Sequence, residues 1–363
     1  MINKKRLSTL VLSGAMLMSM SIPAFAQTAG SNGILQGGTE NVPVKLEITK
    51  DFQFAEGLDI PTVQFDFTAT KITNDAPNAN ISSVNYSNLD EKGEAVAGKY
   101  TVSKNAELTF DTAFPHAGVY EYTVKETENG AQGVTYDKNE YKIDVHVANK
   151  TSMNGETYVK AIIAKDKSTD EKKPIKFVNT YTKDANLVIE KKVTGDLGDL
   201  TKQFDFRLTL NKSATTVNDT FTGKITRKDG ETESLQFTSG QEKTFKLAHG
   251  DKLEFTNLPV GTTYEVIEVG ASDGYTPDVT VVENGKKTVQ NHKVDESRDV
   301  STKANGTDNL VGEKENKVEF TNTYNDVPIT GVIMNNLPFI LLIGVAVLGF
   351  ASLAVLKKRK AVR

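Results

Sequence analysis

Lys176-Phe177-Val178-Asn179-Thr180-Tyr181 returns near the other end of the chain as Glu319-Phe320-Thr321-Asn322-Thr323-Tyr324. The two asparagines are 143 residues apart (322 − 179). Working outward, Gln64-Phe65-Asp66-Phe67 recurs as Gln203-Phe204-Asp205-Phe206, and Tyr122-x-Val124-x-Glu126 recurs as Tyr264-x-Val266-x-Glu268, an offset of 142 (268 − 126). The opening Lys45-Leu46-Glu47-Ile48-Thr49-Lys50 corresponds to Asn186-Leu187-Val188-Ile189-Glu190-Lys191, an offset of 141 (191 − 50). Self-similarity at one fixed period marks a duplicated structural unit. Two tandem domains are therefore expected, spanning 44–182 and 186–325 and joined near Thr182 to Ala185.

Apolar residues alternate with period two in both copies, as in Tyr141, Ile143, Val145 and Val147, or Phe245, Leu247, Leu253 and Phe255. Short runs of this kind, separated by Gly, Asn and Asp turns, predict antiparallel β-sandwiches of the immunoglobulin-like type. No long segment has helical periodicity. The expected fold class is all-β, with short helices at most in insertions.

Strand parity places three polar residues of each copy on the wrong face. Successive strand side chains point to opposite sides, so Lys50 shares its face with Leu46, Ile48 and Phe52, whereas Glu47, Thr49 and Asp51 face away. Lys191 falls likewise between Ile189 and Val193. Glu126 follows Tyr122 and Val124, Glu268 follows Tyr264 and Val266, and the asparagines sit between aromatic residues. Each copy thus buries one Lys, one Glu and one Asn. Isolated buried charge is costly, so such groups pair, neutralise or react. One outcome is a buried Lys and Glu ion pair beside a hydrogen-bonded Asn. The other follows from desolvation, which lowers an amine pKa and raises a carboxyl pKa. A neutral lysine is a nucleophile, the Asn amide carbon is a target, and the Glu can polarise the carbonyl and shuttle protons as ammonia leaves. Duplication of all three residues at matching spacing favours this second outcome, a Lys to Asn isopeptide bond.

Composition narrows the remaining classes. The 363 residues carry 43 basic and 47 acidic side chains, a net charge of −4, without a basic patch interleaved with aromatics, so nucleic-acid binding is not expected. His116, His146, His249 and His292 fall in no ligand spacing, and no metal or other cofactor is expected. Neither a phosphate-binding glycine loop nor a Gly-x-Ser-x-Gly elbow occurs, so the chain lacks the usual signatures of an enzyme. Cysteine is absent altogether.

The two ends specify export and anchoring. Lys4, Lys5 and Arg6 precede an apolar run from Leu7 to Ile22 and an Ala24-Phe25-Ala26 cleavage pattern, which makes residues 1–26 a signal peptide. Residues 27–43 read as a flexible polar lead. At the other end Val327-Pro328-Ile329-Thr330-Gly331 precedes an apolar stretch over 337–356 and a basic tail. The stretch has the length of a bilayer span, and the tail belongs on the cytoplasmic side. The pentapeptide resembles the Leu-Pro-x-Thr-Gly motif of sortase substrates at Pro, Thr and Gly, with Val327 in place of Leu. Residues 327–363 are thus identified as a cell-wall sorting signal. Pro328 presets the backbone that a protease cleft grips, and the resemblance implies cleavage after Thr330 and attachment to an amine. The mature protein, lacking disulfides, draws its stability from elsewhere.

With Lys191-Lys192-Val193-Thr194-Gly195, Asn257-Leu258-Pro259-Val260-Gly261, and Tyr264-x-Val266-x-Glu268 ending at Gly274-Tyr275, the chain resembles the major pilins of the streptococcal T-antigen type over nearly all of its mature length. The last of these segments is similar to the pilin E-box. The resemblance implies bonds from Lys50 to Asn179 promoted by Glu126, and from Lys191 to Asn322 promoted by Glu268. It also implies an acceptor lysine just before the last strand of the first domain, which by position is Lys173 in Lys172-Lys173-Pro174-Ile175, with Lys172 and Lys176 as alternatives. The Tyr-Pro-Lys acceptor motif of other pilins is absent. Implied partners are a sortase, neighbouring copies of the same chain, peptidoglycan, accessory pilins and host surface ligands. A shaft subunit is the favoured reading. A monomeric wall-anchored adhesin or tip subunit is the alternative, and a surface hydrolase needing an open catalytic pocket is the third.

Overall fold

A computed structural model describes residues 32–151, 155–291, 298–303 and 306–324. The signal peptide, the sorting signal with Thr330, the apolar stretch over 337–356 and His292 lie outside the described residues. No helix among the described residues is long and apolar enough to cross a membrane.

Every regular element among the described residues is a strand. Contacts group these strands into two compact units, the first holding the described residues up to Phe52, within Pro61–Asp90 and within Val102–Asn179, the second those of Gln53–Ile60, Glu91–Thr101 and from Thr180 to Tyr324. The expected all-β fold of two tandem sandwiches is therefore what the chain adopts, and no helix interrupts the described strands.

In the first unit one sheet runs in the order Ile34–Gln36, Thr157–Asp166, Glu140–Asn149, Gly118–Thr127, Val63–Lys71, Val84–Tyr86. Its companion runs Ala79–Ile81, Lys99–Phe110, Leu46–Ala55, Lys176–Tyr181, Val134–Thr135. The first long strand and the last are thus neighbours, joined for example by Thr49 N–H donating to Ile175 O at 3.1 Å. Within the segment expected to be flexible, Ile34–Gln36 pairs antiparallel with Ala161–Ile163. Leu35 is buried there, and Gly33, at φ +71°, lies so close to the Lys173 backbone that an added Cβ would meet it at 2.4 Å. Only glycine fits that approach.

The second unit repeats the plan. One sheet has the order Thr232–Thr238, Thr220–Thr226, Lys252–Pro259, Asp184–Thr194, Lys317–Tyr324, Tyr275–Glu283, Lys286–Asn291, and the other Glu242–Leu247, Phe204–Asn211, Thr263–Val269, Val300–Ser301. Asp184–Thr194 and Lys317–Tyr324 pair in parallel, with Lys191 opposite Phe320 and Val193 opposite Asn322. Two-residue alternation sends Leu187, Ile189, Lys191 and Val193 inward together, and all four are buried.

Candidate functional site

Lys50, Glu126 and Asn179 come together in the core of the first unit. Lys50 and Asn179 sit on the neighbouring first and last strands of one sheet, while Glu126 reaches them from Gly118–Thr127 in the other sheet. Lys50 and Asn179 are fully buried, as is the Glu126 carboxylate. Lys50 Nζ lies 2.7 Å from Glu126 Oε1, and Asn179 Nδ2 donates to the same oxygen at 2.9 Å. Amine and carboxamide therefore converge on one carboxylate oxygen. The amine also lies 4.5 Å from the centroid of the Phe65 ring, and the strand is held by Tyr86 Oη donating to Lys50 O at 2.7 Å.

Lys191, Glu268 and Asn322 form the same arrangement in the second unit, all three fully buried. Lys191 Nζ is 2.8 Å from Glu268 Oε1 and 3.0 Å from Oε2. Asn322 Nδ2 donates to Glu268 Oε1 at 2.6 Å. Phe204 covers the amine at 4.3 Å. Their register explains the meeting: residues 191 and 322 occupy the same face two positions apart, a diagonal that a long side chain spans.

Burial acts on both partners in opposite directions. Desolvation pulls the Lys50 amine below its ordinary pKa and pushes the Glu126 carboxyl above its own, against the attraction of each for the other. The same holds in the second unit, where burial brings Lys191 down to about 8 and raises Glu268. Both shifts enlarge the share of neutral amine beside protonated acid. That is the state in which a lysine can attack an amide and a carboxyl can polarise it.

Two aspartates at these sites escaped sequence reasoning. Asp51 points away from the core as its parity requires, yet it is buried, because Ser103 Oγ donates to it at 2.6 Å and Lys176 Nζ lies 2.5 Å away. Asp137, in the connection between Val134–Thr135 and Glu140–Asn149, offers its N–H to Asn179 Oδ1 at 2.9 Å and to Glu126 Oε2 at 3.2 Å. A loop residue carries no periodicity, so strand parity could not find it.

The candidate acceptor lysines differ in their surroundings. Lys173 is part-exposed, with Nζ 2.5 Å from Asp166 Oδ2 and 5.4 Å from the Tyr141 ring centroid. The hydrogen bond to Asp166 raises its pKa. Lys172 is exposed, and Lys176 is engaged with Asp51. No cluster of His, Asp and Glu suited to a metal ion occurs among the described residues.

Residues 46–182 match the Spy0128-like isopeptide containing domain, and residues 185–324 match a domain of unknown function (DUF7601). A pilin of Streptococcus pyogenes serotype M1 is 28% identical over 365 residues, covering 97% of this chain and 99% of that protein. The pilus tip adhesin Cpa of Streptococcus pyogenes is 38% identical over 87 residues, 24% of this chain and 12% of the adhesin. Among solved structures, the T3.2 major pilin from Streptococcus pyogenes serotype GAS13637 is 26% identical, with 81% of this chain and all of that chain covered at a TM-score of 0.38. The similarity to the serotype M1 pilin runs the length of both proteins, whereas that to the adhesin stops at a single segment, which is the pattern of a pilus shaft subunit rather than of a tip adhesin.

Proposed function

We propose that each domain of this pilin closes an internal Lys to Asn bond, and that the chain is joined through Thr330 to a lysine of the next copy in a covalent, wall-anchored shaft. The observation that carries the reading is the convergence, in both units, of a buried amine and a buried carboxamide on one carboxylate oxygen. The neutral Lys Nζ attacks the Asn Cγ. The new Cγ–Nζ bond replaces the Cγ–Nδ2 bond, the Glu carries a proton from the amine to the departing nitrogen, and ammonia leaves. Enclosure between two sheets holds the reacting groups in place, which substitutes for much of the entropy an intermolecular reaction must lose.

Such a bond links the first strand of a domain to its last, the two strands through which the chain enters and leaves. Tension along the chain then falls on a covalent link rather than on hydrogen bonds alone. In the proposed assembly the sortase motif Val327-Pro328-Ile329-Thr330-Gly331 is cut after Thr330, the acyl group passes to Lys173 of the next subunit, and the basal subunit passes to peptidoglycan. Copies of the same chain are the principal partners. An accessory adhesin is a further one, supported by the segment of similarity to a pilus tip adhesin.

Intact mass of the chain over residues 41–325 tests the internal bonds. Loss of two ammonia molecules lowers it by about 34 Da. A mass equal to the sequence mass overturns the cross-link reading.

A further inference from the structure

Resting on the proposed bond between Lys50 and Asn179, the geometry points to Asp137 as a positioning residue whose backbone N–H polarises the Asn179 carbonyl in the first domain only. Its side chain and its main chain do different work. The carboxylate ties the connection to the last strand by accepting from Val178 N–H at 2.7 Å through Oδ2, and it braces itself by accepting from Asn139 N–H at 2.8 Å through Oδ1. The main-chain N–H thereby lies 2.9 Å from Asn179 Oδ1, directly beside the strand position that Val178 fixes.

The contact also sets which way the carboxamide faces. Asn179 Nδ2 donates to Glu126 while Oδ1 accepts from Asp137. A rotated amide would aim its NH₂ at an N–H and its oxygen at a carboxylate, so the two contacts reject it together. When Nζ adds to Cγ, negative charge gathers on Oδ1. An N–H already aimed there stabilises that charge without having to move, as donors do in other acyl-transfer sites.

Among the described residues the second domain has no counterpart. Asn322 Oδ1 is buried and accepts no hydrogen bond among the described residues. The residue registered opposite Asn322 is Pro277, which has no N–H to give. Glu268 must serve that reaction unaided. The two chemically similar sites of one chain therefore differ in this donor, and the second bond acts as an internal control for the first.

The test uses cell-free synthesis of the full-length chain, quenched at intervals in acidic denaturant, with each cross-linked peptide quantified after digestion. Asp137→Ala is expected to slow formation of the first bond by on the order of 10- to 100-fold and to leave the second at the wild-type rate. Asp137→Asn, whose Oδ1 can still accept from Val178 N–H, is expected to recover most of the lost rate. Replacing Asp137 by its α-hydroxy acid through nonsense suppression deletes the N–H and keeps the side chain, and it is expected to slow the first bond as much as alanine does. Wild-type rates for the first bond in both the alanine and the α-hydroxy variants overturn the assignment while leaving the Lys50 to Asn179 bond itself intact. An Asp137→Asn chain as slow as Asp137→Ala overturns it too, since charge and not amide placement would then be at work. Absence of the first bond in the wild-type chain instead removes the parent reading.

Discussion

A lysine without water around its amine favours whatever state carries less net charge, and here that preference is set against a carboxylate under 3 Å away in each domain. Amine and carboxyl form one titrating unit, so protons belong to the pair. The ion pair and the neutral pair hold the same number of protons, and their ratio does not change with pH. Acid adds a proton to the unit and leaves a charged, unreactive amine. Alkali removes one and leaves no acid to protonate the departing nitrogen. Bond formation in the second domain is therefore expected to follow a bell, its alkaline limb near pH 8, where burial brings Lys191, and its acid limb shifted upward from the ordinary glutamate range, because burial raises Glu268. Rates of cross-linking measured from pH 4 to 10 check this, and a rate still climbing at pH 10 would rule out the protonated Glu268. All six residues of the two buried sites were legible from parity, because a polar residue in an alternating apolar run has only the core to enter. Asp137 was not legible, since its role depends on where a connection folds back in space.

At the scale of the element, adjacency of the first and last strands does most to make the chemistry accessible. In the second unit the parallel pairing of Asp184–Thr194 with Lys317–Tyr324 brings together residues 131 apart in sequence (322 − 191). Parallel neighbours cannot be joined by a tight turn, so nothing local holds them, and a covalent tie removes a large share of the unfolded chain's freedom. The chain-entropy model gives roughly 4–5 kcal/mol for a closed loop of this length. At about 2–4 °C per kcal/mol for a domain of this size, Asn322→Ala is expected to lower the melting temperature of the second domain by roughly 10–20 °C. Differential scanning calorimetry of the variant checks this, and a shift under about 2 °C would show that no cross-link was lost. Strand positions followed from periodicity. Sheet order did not follow, because period two says which face a residue takes and nothing about which strand lies beside it. The short strand at Ile34–Gln36 was also missed. Its apolar content is too small to stand out, and its pairing depends on the close approach that Gly33 permits.

For the whole molecule, the proposed assembly depends on one amine being free to leave its present partner. Lys173 Nζ is held 2.5 Å from Asp166, which raises its pKa and keeps it charged at neutral pH. It is nonetheless part-exposed, and Pro174 follows it, leaving no N–H there to extend the sheet edge. In the proposed assembly an incoming acyl-enzyme has to displace the carboxylate and take the proton before Nζ can attack. Lys176 is less suited, since its amine contacts Asp51, a carboxylate buried against Ser103. Lys173→Arg separates the ion pair from the nucleophile: guanidinium still pairs with Asp166 but stays protonated and does not accept an acyl group. In cells that assemble the shaft, this variant is expected to abolish the ladder of detergent-resistant multimers while the monomer folds and forms both internal bonds, whereas Lys172→Arg and Lys176→Arg keep the ladder. Immunoblots of wall extracts read the ladder and intact mass reads the bonds. A ladder that persists in Lys173→Arg and vanishes in Lys172→Arg or Lys176→Arg moves the acceptor to that residue, and the raised pKa at Lys173 then reflects nothing more than a surface ion pair with Asp166.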